Sequence, residues 1–200
     1  MLEAGKQENA LAVSNGDITE DGTPFITVIV DGGWSHRSHG HRYTSNSGVA
    51  CVIGAKTKKL LHLDVRNKYC AMCLYLKKNG KEEVHDQCFK NWSGTSCGME
   101  SDMLVQAFNR SKALHGLEYR CFIGDGDSSV QKKLQEMVSY GKKIEKIECT
   151  NHVIKNYTKA LLKMQGLSRN VKKLITRPII KRLVKGARGA IIYNSKNGKN

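Results

Sequence analysis

The sequence predicts a mixed α/β fold: three antiparallel strands followed by alternating helices and strands, all feeding one mixed sheet with helices on its faces. Three observations predict it. β-Branched apolar runs separated by polar turns occupy 25–31, 47–55 and 60–67. Beyond residue 98, helical periodicity alternates with two more short strand-like runs. Between these halves lies a stretch, 68–98, with four of the seven cysteines and few long apolar runs. The chain has 200 residues, 40% of them hydrophobic, enough to bury a core. This composition excludes a wholly disordered chain, a collagen-like chain and a coiled coil.

Each element has its own local reason. Residues 1–23 are polar with Asn15-Gly16 and Asp21-Gly22 turn signals, and read as an irregular leader with room for a short helix. FITVIVD (25–31) reads as a buried central strand ending at Asp31 before Gly32-Gly33. WSHRSHGHRYTSN (34–46) is a polar loop, SGVACVIGA (47–55) a second strand, and LLHLDVRN (60–67) a third, in which Asp64 can point outward to solvent. MESDMLVQAFNRSKALHG (99–116) is helical, with Met103, Leu104, Ala107 and Leu114 on one face and Gly116 as its stop. YRCFIGD (119–125) is a fourth strand, again ending on an acid. Asp127 can cap a helix with Val130, Leu134 and Met137 on its apolar face, and KKIEKIEC (142–149) alternates as a fifth strand. From Thr150 the pattern is helical, broken or kinked at Pro178, with Leu174, Ile179, Ile180, Leu183 and Val184 as a core face. The order β-β-β, insertion, α-β-α-β-α is that of the RNase H-like fold. The expected division is a leader (1–23), a core (24–166, with the insertion at 68–98) and a basic helical segment (167–200).

In this order the first and fourth strands are neighbours, so their terminal acids, Asp31 and Asp125, would meet. Each alone fits an ordinary turn-starting aspartate. As a pair they suit Mg²⁺ or Mn²⁺, which relieves carboxylate repulsion and supports phosphodiester cleavage.

Cys70-x₂-Cys73-x₁₁-His85-x₂-Cys88 has the doubled spacing of a structural zinc knuckle, with Cys97 as a substitute ligand. The alternative is a set of reduced cysteines in a small core. Cys149-x₂-His152 lies where the fifth strand gives way to a helix, and packing alone accounts for it. His36, His39 and His41 read as part of a polar loop able to meet phosphate, and Cys51, Cys121, His62 and His115 as packing or surface positions.

The charge is one-sided. The chain carries 33 Lys+Arg against 18 Asp+Glu, and residues 153–200 hold 13 of the basic residues and no acid. Such a segment is an electrostatic footprint for phosphate unless it is simply solvated. No apolar run has the length of a membrane span and no secretory signal opens the chain, so an intracellular protein with reduced cysteines is expected.

Five ordered blocks carry a resemblance: VDGGWSHRSHGHRY (30–43), VRNKYCAMC (65–73), NWSGTSCGME (91–100), FIGDGDSSV (122–130) and KIECTNHVIKNY (146–157). From about residue 20 onward the chain resembles the Mutator-like transposase domain of arthropod proteins. These are DDE/D transposases with an RNase H-like core that cut DNA and join the freed 3′-hydroxyl to a target. The resemblance implies that Asp31 is the first metal-binding acid and Asp125 the second. It implies that Cys149 and His152 form the family's C-x₂-H motif. It also implies DNA as partner and Mg²⁺ or Mn²⁺ as catalytic cofactor; a nuclear location follows from DNA as substrate, no membrane association is expected from the apolar runs, and homo-oligomers are an open option. Asn91, Trp92 and Glu100 fall in a recurring block without an assigned role, and Glu100 reads as a capping or dipole residue. The third acid should follow the C-x₂-H motif, yet 153–200 contain none. The reading is therefore a catalytic core truncated inside a helical insertion and weak alone. The alternatives are a catalytically inactive, zinc-stabilised DNA-binding derivative, and an RNase H-like nuclease that cuts without joining.

Overall fold

The computed structural model describes residues 1–35, 45–81, 85–86, 88–125, 128–164 and 168–197. They form two compact units, Met1–Ile147 and Glu148–Asn200. The first is built on a five-stranded mixed sheet of β1 (Phe25–Trp34), β2 (Ser47–Gly54), β3 (Leu60–Asn67), β4 (Glu118–Gly124) and β5 (Glu145–Glu148). The strand order is β3-β2-β1-β4-β5. β2 pairs antiparallel with both β1 and β3, while β4 runs parallel to β1.

Alternation along the strands decides what is buried. Ile26, Val28 and Val30 of β1 and Ala50 and Val52 of β2 point to one face, where the helix α3 (Ser96–His115) lies across them. α3 starts at Ser96 because the Thr95 hydroxyl accepts the Gly98 N–H as an N-cap. It delivers Met99, Met103, Leu104, Ala107 and Phe108 to the core, while Leu114 is partly exposed. Phe108 meets Tyr119 and Phe122 of β4 edge-on, with ring centroids 5.3 and 6.2 Å apart. α4 (Ser128–Met137) packs beside α3 through Val130 and Leu134; Val138 is buried and Met137 exposed.

Four expectations are corrected here. The leader is not irregular: Leu2–Asn15 is the helix α1, closed by Gly16. Its buried stripe is Ala4, Gly5, Glu8 and Ala12, which carries almost no hydrophobic signal. Small residues let α1 sit close; a β-carbon on Gly5 would stand 2.1 Å from His115 Nδ1. Glu8 is fully buried, and its Oε1 accepts from the backbone N–H and hydroxyl of Thr57, each at 2.8 Å, locking α1 to the β2–β3 turn. Second, β1 does not end at Asp31 but continues paired with β2 through Trp34↔Gly48. Third, Asp64 is not a solvated outward residue: it and Asp102 both pair with the buried Arg66 guanidinium at 2.7 Å. Fourth, β5 is shorter than 142–149, because Gly141–Lys143 form a 3-10 turn.

The second unit holds α5 (Thr150–Leu162), α6 (Arg169–Leu174) and α7 (Arg177–Asn197), with α5 packed on α7. The chain breaks before Pro178, as the missing N–H requires. The expected core face of this segment is largely open. Ile180 is buried, but Leu174, Ile179 and Leu183 are exposed, because a helix pair has only one seam in which to hide apolar groups. No described helix is long and apolar enough to cross a membrane.

Candidate metal centre and carboxylate edge

The insertion forms a closed ligand cluster. Cys70 sits in extended backbone as the N-cap of α2 (Ala71–Lys78), and Cys73 lies in that helix's first turn, so both sulfurs leave one tight corner. His85 and Cys88 return to it. His85 Nε2 is 3.3 Å from each of Cys70 Sγ and Cys73 Sγ, and the Cys73 and Cys88 sulfurs are 3.4 Å apart. All four ligand atoms lie within 4.8 Å of one another. Two sulfurs each about 2.3 Å from a tetrahedral ion stand roughly 3.8 Å apart, so the corner needs little expansion to accept zinc.

Electrostatics point the same way. Backbone N–H groups of Cys73, Met72 and Phe89 aim at Cys70 sulfur and bring its thiol down to about 6. Cys73 is pushed up to about 12, first by its hydrogen bond with Cys88, then by burial and by Cys70. A cation bound in this corner would favour the thiolate form of both. Cys97 is exposed and outside the cluster.

The carboxylate edge is open by contrast. The parallel pairing of β1 and β4 includes Ile29↔Ile123. Continued by two residues, that pairing would set Asp31, inside β1, and Asp125, just past the end of β4, on one row. Both are exposed. Val30 and Gly124 between them are buried, with a β-carbon on Gly124 3.1 Å from Val30 Cγ2, so the two strands stay in contact up to this row. Among the described residues, neither aspartate belongs to a group of three ligands as tight as the cysteine corner.

Glu100 is the residue that sequence reasoning undervalued. It lies a full turn past the Thr95 cap, so capping is not its role. Its carboxylate rests against Gly32, the neighbour of Asp31: a β-carbon there would stand 2.6 Å from Glu100 Cδ and 2.9 Å from Oε1. The paired glycines after Asp31 were the available signal, since a glycine next to an acid leaves room for another side chain. Asn91 and Trp92 are structural. Asn91 exchanges hydrogen bonds with the Asn67 backbone and donates to Val65 O, tying the end of the insertion to the β3 edge. Trp92 donates to Thr95 O at 2.9 Å and packs on the core.

Cys149 is the N-cap of α5, and its carbonyl accepts the His152 N–H at 2.9 Å, so both occupy one helical turn. Both are half-buried and lie outside the four-ligand cluster. His36, His39, His41 and Asp127 lie outside the described residues. The ends of the 36–44 segment are anchored: Ser35 and Ser45 hydroxyls are 2.9 Å apart, and Ser96 donates to Ser45 O at 2.8 Å.

A family model described as Mutator-like transposase matches residues 1–200. No curated protein and no solved structure matches the chain.

Proposed function

The chain belongs to the Mutator-like transposase family, and from that premise we propose that residues 1–200 carry the DNA-cutting core of a transposase, with Asp31 and Asp125 as metal-binding acids. The observation that supports this reading best is the parallel pairing of β1 and β4 through Ile29↔Ile123, two residues before each aspartate. The strand order β3-β2-β1-β4-β5, with β1 parallel to β4, supports an RNase H-like core. Two exposed carboxylates are hard oxygen donors of the kind Mg²⁺ and Mn²⁺ take. A divalent ion held there would supply an activated attacking oxygen and neutralise the leaving one. Glu100 brings a further carboxylate to the residue beside Asp31.

Cys70, Cys73, His85 and Cys88 hold structural zinc in this reading, and Cys149 with His152 form the family's C-x₂-H motif. The partner is DNA, met by the basic residues of 153–200, and the location is the nucleus. The division of labour is a core at 24–166 and a basic segment at 167–200. The basic residues of 153–200 also suit a second reading, a zinc-stabilised DNA-binding protein without catalysis.

The test is Mn²⁺-dependent nicking of supercoiled DNA by the wild-type chain, Asp31→Asn and Asp125→Asn. Nicking lost in both variants, with zinc content and fold retained, supports the cutting core. DNA binding without any metal-dependent nicking gives the second reading. Nicking unchanged by both variants removes the aspartates from the proposal.

A further inference from the structure

The zinc corner leaves an unusual surface around it. Tyr69, Met72, Tyr75 and Phe89 are 47%, 51%, 60% and 71% exposed. Three aromatic rings exposed within residues 69–89 are available to a partner that takes flat apolar faces. The rings are also held in place. Tyr69 precedes the ligand Cys70, and its backbone N–H and carbonyl are both engaged by the Asn67 side chain. Phe89 follows the ligand Cys88, and its backbone N–H points at Cys70 sulfur. Both rings are therefore rooted beside the same ligand. Tyr75 lies one turn after Met72 on α2, on the same side of the helix.

Charge identifies the partner. Each ring has a lysine next to it: Lys68 before Tyr69, Lys90 after Phe89, and Lys78 one turn after Tyr75. Of the acids of the stretch, Glu82 and Glu83 fall between the knuckles and Asp86 falls inside the second, three residues before Phe89. An aromatic face beside a cation is the arrangement that takes a base and its phosphate together. In a duplex the base faces are stacked inside and closed to an exposed ring, so the ligand must be unpaired.

We propose that the zinc-organised surface of Tyr69, Tyr75 and Phe89 stacks on unpaired bases of a DNA strand, with Lys68, Lys78 and Lys90 on its phosphates. The inference rests on the reading that this protein acts on DNA and adds a second contact, separate from the carboxylate edge. It differs from the basic helical segment in what it selects: α7 offers lysines and arginines to phosphate in any form, whereas the rings require a free base face.

The experiment is a fluorescence-anisotropy titration of the zinc-loaded full chain with a labelled 20-nucleotide strand and with the duplex of the same sequence, at one salt concentration. Phe89→Ala and Tyr75→Ala should each weaken single-strand binding about fivefold or more, with duplex affinity changed less than about twofold and zinc content unchanged. Phe89→Trp should keep binding, and Phe89→Leu, which retains apolar surface but no π face, should not. Unchanged single-strand affinity in both alanine variants overturns the proposal. So does equal loss on strand and duplex, or full rescue by Leu. A dimer seen in sedimentation that Phe89→Ala dissolves, with strand affinity intact, assigns the surface to a second copy instead. If wild type binds the duplex and not the strand, this inference alone fails; if it binds neither, the DNA-acting reading fails with it.

Discussion

The cysteine corner and the carboxylate edge are both candidate metal sites, built in opposite ways. The corner draws four ligands from Cys70 to Cys88, and they meet within 4.8 Å. The edge would draw Asp31 and Asp125 from segments far apart in sequence, and only the parallel pairing of β1 with β4 brings those segments side by side. The first is closed by its own loop and suits an ion that holds structure. The second is exposed and leaves room for a substrate. A local site is fixed by spacing, whereas a distributed site is fixed by topology.

The largest expected effect separates them. Removing zinc should unfold the insertion while the sheet core survives, because structural zinc contributes on the order of 10 kcal/mol to small modules. Chelation followed by amide exchange should show protection lost over 70–88 and kept in Val28, Val52 and Phe122. Loss of both together would mean that the corner is part of the main core.

Next comes Asp31→Asn. It should abolish Mn²⁺ binding at the edge, read by calorimetry, and leave the melting temperature within a few degrees, since the side chain is exposed. A large stability loss would make Asp31 a structural residue. Gly32→Ala is the sharper variant. The new methyl would displace the Glu100 carboxylate and leave the side chains of Asp31 and Asp125 unaltered. A weaker Mn²⁺ affinity would bring Glu100 into the edge, and an unchanged one would leave it a packing residue.

Salt dependence gives a smaller change. If the basic segment contacts phosphate, deleting 167–200 should flatten the slope of log affinity against log salt, and an unchanged slope would mean that this charge is merely solvated.

Acidification gives the smallest. His62 and His115 are held below the ordinary histidine range, chiefly by burial. A lowered folded pKa means the neutral form is favoured in the fold, so their contribution is complete above about 6.5 and is lost as pH falls below it. Melts of chelated protein between pH 7.5 and 5 should show a shift of a few degrees. Zinc-loaded protein should show a further loss as its ligands take up protons. Identical curves with and without zinc would remove the corner as an acid-sensitive element.

Much of this was readable from residues alone. The β-branched apolar runs 25–31, 47–55 and 60–67 survive as β1, β2 and β3, because such side chains favour extended backbone. The Cys/His spacing is legible because all four ligands lie in one short loop. Helix α1 was hidden, since its buried face of Ala4, Gly5, Glu8 and Ala12 works through close approach and one buried carboxylate rather than apolar area. The open face of α7 was misread as core, since periodicity shows that a face is apolar and not whether anything covers it.

Residue types at short separation are enough to specify the Cys/His corner, the order of the strands and the one-sided charge of 153–200. Tertiary packing settled the rest: β1 runs on past Asp31, β4 lies parallel beside it, and Glu100 lies against Gly32. Those facts depend on which strands become neighbours and in what register. Such choices are made by the packing of the whole sheet against α1 and α3, and no local pattern encodes them.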